Sequence, residues 1–157
     1  MHAFASRLRP LIVAWIAAAA SIAAIALSFE AVHLPFVLAS LGGSAVILFG
    51  MPESEMSQPR SFIGGHAIAT AVGIGFFHLF GDQWWVLAGA MATALTLMQV
   101  TRTIHSPAGA DPLIVILNHA GWSFLLMPLA LGLAILLAAA LAFNRIAGLP
   151  AYPRRWI

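Results

Sequence analysis

Four apolar runs dominate the chain: residues 11–29, 63–81, 84–100 and 122–143. Each approaches the roughly 20 residues that cross a bilayer core as a helix. Apolar residues are continuous within them rather than alternating, which predicts helices and not strands. Two shorter pieces lie between the runs. Residues 34–50 read LPFVLASLGGSAVILFG, with Gly42 and Gly43 at the middle. Residues 104–118 read IHSPAGADPLIVILN, with Pro107, Gly109 and Pro112 in the first part. Both predict an extended lead-in and then a short helix of about ten residues, roughly 15 Å long.

The two pieces align when Gly42 is set on Gly109, so that GGSAVILF lies over GADPLIVI. Each sits between two long runs. The chain therefore reads as long–broken–long twice, at about residues 11–81 and 84–143, within a single transmembrane domain spanning residues 1–157. An internal repeat of this kind is a mark of transporter architecture. The predicted fold is an all-α polytopic membrane protein built from two inverted repeats, with four full spans and two discontinuous segments.

Charge refines the topology. If the broken pieces also cross, then Arg7, Arg9, Arg60, Arg102, Arg145, Arg154 and Arg155 all fall on one side, as the positive-inside rule requires of a cytoplasmic face. If they merely re-enter, Arg60 and Arg102 fall on the wrong side. Six crossings place both termini in the cytoplasm. Three crossings per repeat make the second repeat inverted. The short helices then point their N-termini at each other near the midplane.

Composition sets the class. The chain is 62% hydrophobic and 8% charged, with a mean hydropathy of +0.97, the profile of an integral membrane protein. Arg7 and Arg9 precede an apolar run longer than the ~7–15 residues of a signal peptide core, so that run reads as a retained span. There is no cysteine, hence no disulfide or thiolate metal site. No His/Glu pair has metal-ligand spacing, and no cofactor is implied. No nucleophile–base pair is visible, so an enzyme is the least favoured class. The few arginines are topology signals, not a nucleic-acid surface.

The candidate chemistry lies in the broken pieces. Two helix N-termini meeting in the membrane would offer free N–H groups to an anion or a polar solute. Gly42, Gly43 and Gly109 would admit close backbone approach, with Ser44, Ser106 and Pro107 lining the path. The rival reading is that these small residues only pack helices together. His105 is a candidate for pore lining or a proton switch, set against a structural hydrogen bond to a neighbouring helix, and His66 either lies close to the same path or is merely interfacial. His33, His78 and His119 read as interfacial. Asp111 opposes an anion at the same place, unless it carries a proton or pairs with Arg102 or His105. Arg60 and Arg102 form either an anion vestibule or simple topology anchors.

The stretches TRTIHSPAGA and ASLGGSAVILFGMPESEMSQPRSFIGGHAIA, with their QPR and GGH elements, resemble the HPP family of integral membrane proteins over about residues 34–130. The matching positions are Gln58, Pro59, Arg60, Gly64, Gly65 and His66, then Thr101, Arg102, Thr103, His105, Pro107, Ala108 and Gly109. The chain departs at Ser106, where the family has its first motif proline, and at Asp111, where a small neutral residue is usual. The resemblance implies a compact membrane domain, usually described with four spans, and points to nitrite transport, in which some members are implicated. The resulting expectation is a permease for a small anion such as nitrite, with possible proton coupling, in the bacterial inner membrane. A homo-oligomer would shield the short helices. The alternative is a non-transporting membrane scaffold or sensor partner.

Overall fold

The computed structural model describes residues 2–29, 35–148 and 152–156, with side chains from residue 8 in the first segment and residue 39 in the second. The described residues form six α-helices: α1 (His2–Phe29), α2 (Pro35–Gly50), α3 (Pro59–Phe80), α4 (Trp84–Val100), α5 (Asp111–Leu117) and α6 (Leu131–Ala147). No strand occurs among the described residues. Among the described residues three segments are long and apolar enough to cross a membrane: Leu8–Ser28, Pro59–Phe80 and Trp122–Ala147. Shorter apolar helices cover Ala39–Gly50, Trp84–Val100 and Ser106–Leu117.

The first expected break is absent. Helix α2 runs unbroken through Gly42 and Gly43, while Leu34 lies outside the described residues. Glycine costs a helix only about 1 kcal/mol. An open backbone in hydrocarbon costs several kcal/mol for each unpaired group, so the helix continues. Gly43 serves close packing instead: a Cβ there would stand 3.2 Å from Cβ of Pro107.

The second break is present. Residues 103–105 are irregular, with His105 extended at φ −136° and ψ 105°. A 3-10 helix (Ser106–Ala110) then leads into α5. A further break interrupts the last apolar run, expected as one span. A 3-10 turn (Trp122–Leu125) and a π-type turn (Leu126–Ala130) precede α6, and Met127 is extended at φ −142° and ψ 116°. Pro128 explains it, because proline drives the residue before it out of helical geometry.

The chain's turns sort to two ends of the bundle. At one end Arg9 Nη2 donates to Ile146 O at 2.9 Å, Arg60 Nη2 to Thr101 O at 2.9 Å and Tyr152 Oη to Ser57 O at 2.7 Å. At the other end His119 meets Asp82 at 3.0 Å, and the rings of His78 and Trp122 stack at 6.4 Å. The first is called here the basic end, the second the far end.

Packing follows the solvent. Trp15, Leu27, Leu79, Trp84, Val100 and Leu126 point outward, as suits lipid. Ile25, Leu41, Leu48, Phe62, Ile74, Val115 and Leu136 fill the main core. Helix α3 receives the irregular segment on glycines. A Cβ at Gly64 would lie 2.8 Å from Thr103 Cγ2, at Gly65 2.8 Å from His105 Cβ, and at Gly73 2.5 Å from Pro112 Cα. The GGH element is thus a seat for residues 103–105.

Gly73→Ala should lower stability by about 1–3 kcal/mol through overpacking. Gly75→Ala, where a Cβ meets nothing within 4 Å, should instead gain up to about 1 kcal/mol of helix propensity. Thermal unfolding of the two variants in detergent checks the contrast; equal responses would contradict the packing.

Candidate functional site

Three apolar segments each contribute a pair of polar side chains to one interior point. Helix α2 supplies Ser40 and Ser44, and α3 supplies His66 and Thr70, each pair one turn apart and so on one face. The third segment supplies His105, at the end of the irregular stretch, and Asp111, the first residue of α5. All six are buried, with Ser44, His66, Thr70 and His105 at 0% exposure.

The Asp111 carboxylate is the hub. Oδ1 accepts from Ser40 Oγ at 2.6 Å, and Oδ2 meets His66 Nδ1 at 2.6 Å and Thr70 Oγ1 at 3.3 Å. Ser44 Oγ lies 2.8 Å from His66 Nε2 and 2.9 Å from His105 Nε2. His105 Nδ1 reaches the carbonyl of Met56 at 2.7 Å. Phe62 closes one side, its ring edge-on to both imidazoles at 5.5 and 5.3 Å.

Hydrogen counting assigns the protons. A carbonyl only accepts, so His105 Nδ1 carries a hydrogen toward Met56. Ser44 has one hydrogen and three candidate acceptors: the two Nε2 atoms and the carbonyl of Ser40 at 3.0 Å. If it donates to His105, then His66 donates Nε2–H to Ser44, and one proton lies between His66 Nδ1 and Asp111. If it donates to His66, then His105 holds both of its protons. These arrangements have equal total charge and differ by protons shifted along existing hydrogen bonds. If the hydroxyl turns to Ser40, both imidazoles donate to it, and the cluster holds one more proton with no bond lost.

Of the expected path residues, Ser44, His66, His105 and Asp111 meet here, and Pro107 borders them. Its carbonyl faces Ser40 Oγ at 3.3 Å, and its ring lies against Gly43. The other expected residues do not join this cluster. Gly42 borders an apolar groove between α1 and α2. Ser106 is exposed and caps nothing, and Gly109 has open space at its Cβ position. Among the described residues no two helix N-termini face each other at this point: α2 starts at Pro35 and Asp111 occupies the first turn of α5. The partner of Asp111 is His66, not Arg102 or His105. The cluster also lies off the middle of α3: His66 is seven residues into this 22-residue helix, about 10 Å from its start at the basic end. His78 and His119 lie at the far end, while His33 is outside the described residues.

Arg60 and Arg102 do come together, at the basic end, around a cavity of about 150 Å³ shared with Glu55, Gln58, Ser61 and Arg155. Gln58 frames it: Nε2 donates to the carbonyls of Pro52 at 3.1 Å and Ser54 at 2.9 Å, and Oε1 accepts from Arg154 N at 2.9 Å. Arg154 also pairs with Glu53 at 2.9 Å. Burial pushes the Tyr152 hydroxyl upward, so it remains a donor to Ser57. The sequence reading missed Ser40, Thr70, Ser61 and Arg155. The first two carried a signal, since each stands four residues from a polar residue already singled out.

Ser44→Ala should cost about 1–3 kcal/mol, because both Nε2 atoms lose their common partner in a dry interior. Ser28→Ala, removing an exposed hydroxyl bonded to Ala24 O at 2.7 Å, should stay within about 0.5 kcal/mol. Thermal unfolding in detergent measures both.

Comparison with known proteins agrees with this membrane architecture. The model of the HPP transmembrane region matches residues 4–153. Two transmembrane proteins of Dictyostelium discoideum are similar: one is 34% identical over 132 residues, covering 79% of this chain and 46% of its own length. The other is 33% identical over 129 residues, covering 77% of this chain and 42% of its own length. The chain thus spans less than half the length of these relatives. No solved structure matches. The chain belongs to the HPP transmembrane family.

Proposed function

We propose that the chain is a proton-linked transporter of a small anion, with nitrite the first candidate. The observation that carries the reading is the enclosed Asp111–His66–Ser44–His105 chain of hydrogen bonds, along which a proton could be passed by turning one hydroxyl. Ionisable side chains inside membrane segments commonly serve proton and ion pathways. The anion comes from the family resemblance and from the arginines at the basic end. Asp111, His66 and Ser44 also have the order of a hydrolytic triad. Ser44 is fully buried between two imidazoles, however, and substrate has no approach to it, which favours transport over catalysis.

The same reading has six crossings. Successive segments alternate between the two ends, and Arg9, Arg60 and Arg154 make their contacts at the basic end. That is the pattern of a cytoplasmic face, with both termini inside a bacterial inner membrane. Two inverted halves, α1–α3 and α4–α6, fit the alternation. The halves differ in detail, because α2 is continuous where its counterpart is broken. A homo-oligomer would cover the shorter segments.

A second reading rests on one observation: every side chain of the relay is enclosed and partnered. A membrane scaffold or sensor partner would have the same satisfied interior.

Purified protein in liposomes separates the two. We expect saturable nitrite uptake driven by an inward proton gradient, tested beside nitrate, formate and chloride. Asp111→Asn should reduce it about tenfold or more, the equivalent of ~1.4 kcal/mol on a barrier. Absence of flux from folded wild-type protein would favour the scaffold; full gradient-driven flux in Asp111→Asn would remove the relay from transport.

A further inference from the structure

The relay leaves the cavity at the basic end unexplained. Its lining holds three arginines, Arg60, Arg102 and Arg155, against one carboxylate, Glu55. That is a net of two positive charges, equal to the formal net charge of the whole chain. Glu55 neutralises little, since its nearest approach to Arg155 is 4.0 Å between exposed groups. Arg102 makes no side-chain hydrogen bond or ion pair among the described residues, and Arg60 spends one Nη2 contact on Thr101 O. Gln58 is fully engaged in backbone contacts, so it shapes the wall and is not a ligand.

Two further features face an anion. Helix α3 begins here, and its N-cap Gln58 makes no side-chain capping bond. The backbone N–H groups of Arg60 and Ser61 lie in its first turn, where helix geometry provides no partner, and the helix dipole is positive. Ser61 lines the cavity, is only 7% exposed, and its hydroxyl has no hydrogen-bond partner among the described residues. This hydroxyl, on a side chain otherwise enclosed, has no protein acceptor among the described residues and stands beside a helix N-terminus and three guanidiniums. A volume of about 150 Å³ exceeds the share of liquid of a single water several-fold (~30 Å³). It therefore admits one compact oxyanion with some hydration.

We propose that this cavity is an oxyanion-binding site, with Arg60, Arg102 and Arg155 supplying charge and Ser61 with the start of α3 supplying directed hydrogen bonds. Arg155 arrives on the C-terminal segment, which Gln58 and Ser57 hold in place. Ser61 is five residues before His66, about 7–8 Å along α3. Glu55 adjoins Met56, whose carbonyl ends the relay. The site deepens the transport reading as the place where the anion docks; it rests on that reading for its role, while binding itself requires no passage. The same chemistry suits a free oxyanion or the phosphate of a lipid headgroup.

Binding to the full chain in nanodiscs of zwitterionic lipid, measured by calorimetry with nitrite, nitrate, formate and inorganic phosphate, tests the site. We expect saturable binding of at least one oxyanion, weakened about tenfold or more by Arg102→Gln and by Arg155→Gln. Ser61→Ala should weaken it several-fold, and Arg145→Gln, outside this cavity, should leave it unchanged. Nanodiscs containing phosphatidylglycerol form the second arm. Lipid competition that disappears in the Arg102 and Arg155 variants would identify the lipid phosphate as the ligand and uphold the site. Equal binding in all variants, or none in either arm by folded protein, would overturn it. Binding that persists in Asp111→Asn while flux is lost would separate this site from the relay; binding without any flux would retain the site and remove the transport reading.

Discussion

The contact between Asp111 and His66 sets the terms for the rest of the molecule. A carboxylate in a membrane segment costs about 2.5–3.5 kcal/mol even by the gentlest measure. Here the cost is offset by partners from separate elements: His66 and Thr70 on α3, Ser40 on α2. Such partners work only at hydrogen-bond distance, so three segments must come together in one register. The glycines meet that demand. Gly43 admits Pro107, Gly64 and Gly65 admit residues 103–105, and Gly73 admits Pro112. Small residues permit the approach, and the polar hub gives the approach a reason.

The two ends of the bundle differ in kind. The far end joins its turns through His119, Asp82, His78 and Trp122, aromatic and half-polar groups suited to an interface. The basic end is more elaborate. Gln58 ties the loop before α3 to the C-terminal segment, and Tyr152 adds a second tie through Ser57. This framework stands directly above the Met56 carbonyl that receives His105, so the outer ties and the inner relay share one short loop.

The parts legible in the sequence were those governed by periodicity and composition. The run at residues 84–100 is α4 to the residue, and the broken character of residues 104–118 followed from Pro107, Gly109 and Pro112. Ser44, His66, His105 and Asp111 stood out because polar groups are rare among apolar neighbours. Their pairing was not legible, because it depends on how helices far apart in the chain are rotated against each other. Gly42 and Gly43 misled for a related reason: glycine marks both a break and a close contact, and only the neighbour, Pro107, distinguishes them. Met127 erred the other way, since the restriction imposed by Pro128 was hidden inside an otherwise uniform run.

The lone hydrogen of Ser44 has an electrical consequence. It can serve only one of three acceptors at a time: the two Nε2 atoms and the Ser40 carbonyl. Were the proposed transport to run through this group, one added proton would accompany each monovalent anion and the two charges would cancel. Membrane voltage would then do no work on such a cycle.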